Sequence, residues 1–320
     1  MKLSLISTSP ASASAYYRIN PFMQLGIPYK PMGNTILPTG SEAGTINIYH
    51  RPCSNKTLEH FTRAKNVGQK TWVDFDDLLT RVPPTNPAHG IIVPLQPNII
   101  HMITHADIVT VSTAQIKENW HHLNPNIHVV PNGIKDSVYQ IEKSKFNSTS
   151  ARIMWRGSNY HTCDLQAYQN EFSLIAQHHP HHQLVFLGQR PHYTVLQAKN
   201  TLHVSEVWGF NNYTIAMQQM KPHIVIVPLA DSEFNRSKSN IAYIEATLAG
   251  AVCIAAPMPQ WNVQGCMTYD GTALADAVKY AIDSPALCKI AHQMAKDYIA
   301  QHLTVTKINQ QRKNLINSLI

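Results

Sequence analysis

Short β-branched runs alternate with helical patterns along this chain, and the alternation occurs twice. In the first half KLSLI, TINIYH, TWVDF, DIVTVS and NIHVVP are separated by helical patterns around 55–68, 97–105 and 112–122. Parallel strands need a long crossover, usually a helix, so this rhythm predicts parallel βαβ units. After Pro131-Asn132-Gly133 the stretch KDSVYQIEKSKFNSTSA is polar and aperiodic, as a linker is. The rhythm then restarts with RIMWRG, HQLVFLG, HIVIVPL and AVCIAA, with helices near 163–177, 212–220, 237–249 and 271–283. The expected fold is α/β: two doubly wound parallel-sheet domains, 1–148 and 149–302, facing a cleft. A final helix within 303–320, carrying apolar Val305, Ile308, Leu315 and Leu319, is expected to pack back on the N-terminal domain. Ligands of such sheets sit beyond the carboxyl ends of the strands, so the cleft is the expected site.

Composition narrows the function classes. Lys and Arg number 26 against 19 Asp and Glu, a formal charge of +7, which suits an anionic partner or substrate. Five scattered cysteines, with no C-x-x-C pair, signal neither a disulfide framework nor a structural zinc site and fit a reducing, cytoplasmic setting. The opening MKLSLISTSPASASA imitates a signal peptide, but its apolar part is shorter than the roughly seven residues such a segment needs, so it reads as a first strand and loop. The longest apolar run, LAGAVCIAAPMP, is broken by Gly and Pro and falls short of the ~20 residues that span a bilayer, leaving surface contact with a membrane open. G-x-S-x-G, H-E-x-x-H, P-loop and G-x-G-x-x-G patterns are absent, which removes the simplest hydrolase, metalloprotease, kinase and dehydrogenase readings. The tract HHPHH at 178–182 falls between a helix and a strand and reads as a solvated loop rather than a metal site.

The stretch FNRSKSNIAYIEATLAGAVCIAA concentrates chemistry. Arg236, Lys238 and Ser239 precede a helical pattern that carries Glu245 two turns in. Exposed N–H groups and cations at a strand end favour a phosphate, and a carboxylate deeper in suits two neighbouring hydroxyls, as on a ribose. Ordinary surface charges on a helix would give the same spacing.

These residues carry a resemblance. The run is similar to the nucleotide-sugar motif of GT-B glycosyltransferases, in which the Glu binds the donor ribose and basic groups hold the diphosphate. ADIVTVSTAQIKENWHHLNPNIHVVPNGI at 106–134 resembles the end of a GT-B N-terminal domain, and RIMWRGSNYHTCDL resembles the opening strand and loop of its C-terminal partner, with His161 and Asp164 in order. SAYYRINPFMQLG and WVDFDDLLTRVPPTNP resemble a subgroup common among bacteriophage glycosyltransferases. The resemblance implies Rossmann-like domains, a nucleotide-diphosphate sugar, UDP-linked, as donor, and no required cofactor. It implies donor contacts at Arg156, Gly157, Ser158, His161, Arg236, Lys238, Ser239 and Glu245. Two departures stand out: Ser237 occupies the position where the family carries a first Glu, and His161 or Thr162 stands near the usual Lys of the opening loop.

On the acceptor side, Asp74-Phe75-Asp76-Asp77 ends a predicted strand. Asp76 or Asp77 could accept the proton of an attacking hydroxyl. A D-x-D pair is also the divalent-metal motif of GT-A enzymes, a second reading that the separate basic diphosphate site makes unnecessary; an N-cap or loop Asp would explain at least one of the three. Arg51, after His50 at the end of TINIYH, is a further catalytic candidate, and Tyr17 and Arg18 are candidates for acceptor or phosphate contact. The expected function is sugar transfer to an acceptor hydroxyl. The basic balance and phage-type motifs lean toward a hydroxymethylated base in duplex DNA; a lipid-linked or polysaccharide acceptor is the alternative within the enzyme class, and a non-catalytic nucleic-acid-binding protein on the same scaffold the alternative outside it.

Overall fold

The computed structural model describes residues 2–7, 12–33, 44–136, 142, 146, 150–205, 207, 209–269 and 273–320. The predicted linker and the 148/149 boundary fall largely outside these residues, as do residues 8–11 of the first loop.

Each half is a six-stranded, all-parallel sheet. The first contains β1 (Lys2–Ser7), β2 (Tyr29–Gly33), β3 (Thr45–His50), β4 (Lys70–Phe75), β5 (Ile108–Val111) and β6 (Ile127–Val129) in the order β2-β1-β3-β4-β5-β6. The second contains β7 (Arg152–Gly157), β8 (Gln183–Gly188), β9 (Thr201–Val204), β10 (Ile224–Val227), β11 (Val252–Ala255) and β12 (Cys266–Thr268) in the order β12-β11-β10-β7-β8-β9. Helices on both faces bury the sheets, so β3 is buried along its whole length, polar Thr45, Asn47 and His50 included. In the N-terminal half the helices are α1 (Ala13–Arg18), α2 (Asn55–Asn66), α3 (His89–Ile92), α4 (Gln96–His105) and α5 (Ala114–Trp120). In the C-terminal half they are α6 (Thr162–Ala167), α7 (Gln169–His178), α8 (Tyr193–Leu196), α9 (Phe210–Met220), α10 (Glu233–Arg236), α11 (Ile241–Leu248), α12 (Leu274–Asp283), α13 (Pro285–His302) and α14 (Val305–Asn317). Side-chain caps start several of them: Ser54 accepts from Thr57 N, Thr113 from Ile116 N, and Thr304 from Lys307 N.

The sheet orders place the site. Chain direction across the sheet reverses between β1 and β3 in the first domain and between β7 and β10 in the second. At such a switch point the connecting loops diverge and leave a crevice. The residues that follow β1, β3, β7 and β10 are Ser14 to Arg18, His50-Arg51, Arg156 to His161, and Ser232 to Glu245. These are the segments that the motifs single out.

The chain crosses between the domains twice, side by side. Ile134 N donates to Leu303 O and Val305 N to Ile134 O, both at 2.8 Å. Gly133 is required there, since a Cβ would lie 2.3 Å from Ile308 Cδ1 and 3.1 Å from the Leu303 carbonyl. Past this crossing α14 lies on the N-terminal domain: Asn309 donates to the Pro21 carbonyl at 2.8 Å, the Arg312 guanidinium sits 5.0 Å from the Phe22 ring centre, and Ile316 joins the cluster of Leu3, Leu5 and Trp72.

The sequence pattern missed several elements, the short helices α3 and α8 among them. β2 contains Pro31 and lies at a sheet edge, where a missing N–H costs nothing. β9 and β12 are short, only partly buried strands toward the other sheet's edges. α13, the longest helix, follows α12 after a single residue, Ser284, and the pair is not separable by periodicity. The helix expected over 163–177 is two, broken at Tyr168, and that expected over 237–249 is α10 followed by α11.

Candidate active site

The C-terminal side of the cleft is built on one carboxylate. Glu245, in the second turn of α11, is 4% exposed. Its Oε2 accepts from Arg156 Nη2 at 2.6 Å and from the Tyr213 hydroxyl at 3.3 Å, and its Oε1 accepts from the Tyr17 hydroxyl at 3.2 Å. Arg156 ends β7, Tyr213 is on α9, and Tyr17 comes from α1 of the other domain. Burial disfavours the Arg156 charge, but Glu245 holds its pKa above the ordinary value. Burial, reinforced by the Glu245 charge, raises both tyrosines, so they stay protonated donors. Arg156 Nε is buried without a hydrogen-bond partner among the described residues, a donor that could serve an anion.

The loop after β10 is rigid and stitched to both domains. Ser232 caps α10 by accepting from Asn235 N at 3.1 Å. Asp164 accepts from Ala230 N, Asn235 Nδ2 and His161 Nδ1 at 2.8, 2.9 and 2.8 Å, which ties the loop after β7 to the loop after β10. Burial lowers the His161 pKa despite that carboxylate. Gly157 and Ser158 contribute backbone: the Gly157 carbonyl accepts from Gln189 N at 2.7 Å and the Ser158 carbonyl from His161 N at 3.0 Å. The crossing of the loops after β7 and β8 needs Gly188, at φ +106, because a Cβ would lie 2.2 Å from the Gly157 oxygen.

Across the cleft, Thr113 donates to the Ser237 carbonyl at 2.9 Å and Asn132 to Ser239 Oγ at 2.8 Å. Phe234 is buried in the N-terminal core with Phe75 and Trp120. Lys238 lies over the Phe234 ring, 4.7 Å from its centre, with Nζ 3.9 Å from Asp77 Oδ1. Arg236, expected among the diphosphate cations, is elsewhere: it is exposed and bound through Nε and Nη2 to the two oxygens of Asp231, each at 2.6 Å. The short turn of α10 points it outward while Lys238, two residues on, faces inward.

On the N-terminal side Arg51 pairs with Asp76 through Nε and with Asp77 through Nη2. Its backbone is left-handed at φ 48, an uncommon conformation for a non-glycine residue, fixed by the pairing of its N–H with the Asp74 carbonyl at 2.9 Å. Beneath it runs a hydrogen-bond chain that the sequence did not suggest. Ser14 Oγ donates to Asp76 Oδ2 at 2.5 Å, so it accepts from His50 Nε2 at 2.8 Å, and His50 Nδ1 in turn accepts from Ser7 Oγ at 3.0 Å. His50 is therefore neutral, and burial lowers its pKa to about 4. Burial opposes the Asp76 charge, but Arg51 and the other donors hold its pKa well below the usual carboxylate range. Such a carboxylate anchors Arg51 and is a poor proton acceptor. Asp77 is the more open of the two, at 21% side-chain exposure against 5%.

Arg18 is a correction to the sequence reading. Proposed for acceptor or phosphate contact, it is wholly buried; Nε and Nη2 bind the two Asp74 oxygens at 2.9 and 2.5 Å, and Nη1 binds Asn132 Oδ1 at 3.2 Å and the Val130 carbonyl. No acceptor reaches it. Tyr17, paired with it in that expectation, faces Glu245 instead. Of the D-x-D carboxylates Asp74 is held by Arg18, and Asp76 and Asp77 share Arg51. Tyr213, Ser14, Thr113 and Asn132 carry no sequence signal of their own; only the fold brings them to the cleft.

No family model and no curated protein matches the sequence. Solved structures do match the fold. The sucrose-phosphate synthase of Thermosynechococcus elongatus superposes with a TM-score of 0.75 at 12% identity, covering 100% of this chain and 99% of that one. Anabaena HepE in complex with UDP superposes at 0.67 with 13% identity, covering 99% and 100%. The trehalose-6-phosphate enzyme of E. coli bound with UDP-2-fluoro glucose superposes at 0.61 with 10% identity, covering 88% of this chain and 74% of that one. The chain has the GT-B architecture of two facing parallel-sheet α/β domains.

Proposed function

We propose that this protein is a glycosyltransferase that takes a sugar from a UDP-linked donor and passes it to an acceptor hydroxyl bound on the N-terminal side of the cleft. One observation carries the reading: at the β7/β10 switch point Arg156 pairs with Glu245, and Arg156 and Lys238 both act on His161, so that two cations and one diol-matching carboxylate gather where a nucleoside diphosphate is expected. That neighbours of the same fold hold UDP or a UDP-sugar analogue supports the donor class.

In this reading Glu245 holds the ribose, and Arg156 and Lys238 stabilise the charge that grows on the diphosphate as the bond from the anomeric carbon to the phosphate oxygen breaks. The acceptor oxygen forms the new bond and loses its proton. Asp77, more open than Asp76, is the carboxylate placed to take it once the diphosphate claims Lys238. Asp76, Ser14, His50 and Arg51 hold Asp77 in place. No first Glu is needed for these steps, since Ser237 sits inside the stitched loop, 1% exposed, with its hydroxyl donating to the Glu233 carbonyl at 2.9 Å.

The test is mass spectrometry of acceptors incubated with the enzyme and a panel of nucleotide sugars. Duplex DNA containing hydroxymethylcytosine, the acceptor that the charge and motifs suggest, forms one arm, with unmodified DNA as control; lipid-linked and polysaccharide acceptors form the others. A hexose or pentose increment in one arm names acceptor and sugar. Neither transfer nor slow donor hydrolysis with any donor would overturn the reading and favour the non-catalytic scaffold.

A further inference from the structure

The ribose position on Glu245 is already filled by the protein. A carboxylate that anchors a diol receives one hydroxyl on each oxygen. Here each Glu245 oxygen receives one tyrosine hydroxyl, Tyr17 on Oε1 at 3.2 Å and Tyr213 on Oε2 at 3.3 Å. Tyr17 is 0% exposed and lies in the C-terminal core cluster with Met154, Trp155 and Ile244 although it belongs to the N-terminal domain. Another charge contact between the domains has the same character: Asp77 sits 3.9 Å from Lys238, an anion beside the cation that a diphosphate would need.

We infer that Tyr17 is an internal competitor for the nucleotide: its hydroxyl latches the two domains by occupying Glu245, and a ribose must displace it. This deepens the donor assignment above and rests on it. Two consequences follow from linkage. Nucleotide binding releases α1 from the C-terminal domain, because Glu245 is buried with the Tyr17 hydroxyl packed on Oε1, and a ribose must enter the space that hydroxyl fills. Removal of the Tyr17 hydroxyl then strengthens nucleotide binding, since the competing state is weakened while the nucleotide's own contacts stay. A residue that touched the donor directly would behave in the opposite way.

The experiment is calorimetric titration of UDP into wild-type protein and Tyr17→Phe. The wild type is expected to bind, and Tyr17→Phe to bind about ten-fold tighter or more, the scale of one hydrogen bond to a charged group. Weaker or unchanged binding by Tyr17→Phe, with a binding wild type, overturns the latch and leaves the donor site standing; no binding by wild-type protein removes the donor assignment and the latch with it. A measurement on wild-type protein alone covers the case of a variant that fails to fold. Amide exchange across residues 13–19 is expected to quicken when UDP is added, and slowing there would contradict the latch.

Discussion

The two carboxylates that organise the cleft are held differently. Asp76 finds its partners, Arg51 and Ser14, inside its own domain, whereas Glu245 draws Arg156 and Tyr213 from its own domain and Tyr17 from the other. An ion cluster closed within one domain is satisfied whatever the cleft does, and serves as scaffold. A carboxylate whose partners span the cleft exchanges them when a ligand enters. The same division separates Arg18, spent on Asp74, from Lys238, which reaches Asp77 at only 3.9 Å.

The largest effect expected of this comparison is on the scaffold. Arg18→Met leaves Asp74 charged and buried and should destabilise the N-terminal domain by about 3–5 kcal/mol in denaturant unfolding. A loss under 1 kcal/mol would mean that the pair is dispensable.

Next comes pH. His50 has a folded pKa lowered from 6.5 to about 4, so between these values the unfolded chain binds the extra proton and the folded one does not. Stability therefore rises with pH through the window from about 4 to 6.5 and is level above it, by at most ~3 kcal/mol. Asp76 acts below that window: its folded pKa is depressed, so its stabilisation is present above the unfolded value and declines as acid approaches the folded one. His50→Gln should flatten the profile between pH 4 and 6.5; an unaltered profile would assign the slope to other groups.

The smallest predicted effects contrast two cations separated by one residue. Lys238→Ala should weaken UDP binding about ten-fold, or ~1.4 kcal/mol, while Arg236→Ala, exposed and tied to Asp231, should leave both UDP affinity and stability within ~0.5 kcal/mol of wild type. Equal losses would place Arg236 in the cleft after all.

Much of this was legible in the sequence, for reasons that particular residues make plain. Buried parallel strands such as HIVIVPL announce themselves by near-continuous apolar content, and the alternation with helices carried the two-domain α/β reading. Edge strands did not: TLHV and CMT are short and only partly buried and leave no such pattern. At the site, motif order drew attention to Arg156, Lys238 and Glu245, and the fold brings Arg156 onto Glu245. Motif order could not tell Asp74 from Asp77, or Arg18 from Arg51, since what buries Arg18 and Asp74 is their pairing with each other, 56 positions apart. Nor could it find Tyr17 opposite Glu245, a contact between residues 228 positions apart.

The account turns on Glu245 as the nucleotide anchor. Calorimetric titration of UDP into wild-type protein and Glu245→Ala tests it most directly. Wild-type binding with at least a ten-fold loss in the variant is the predicted result; equal affinity in the two proteins would contradict it and move the donor away from this carboxylate.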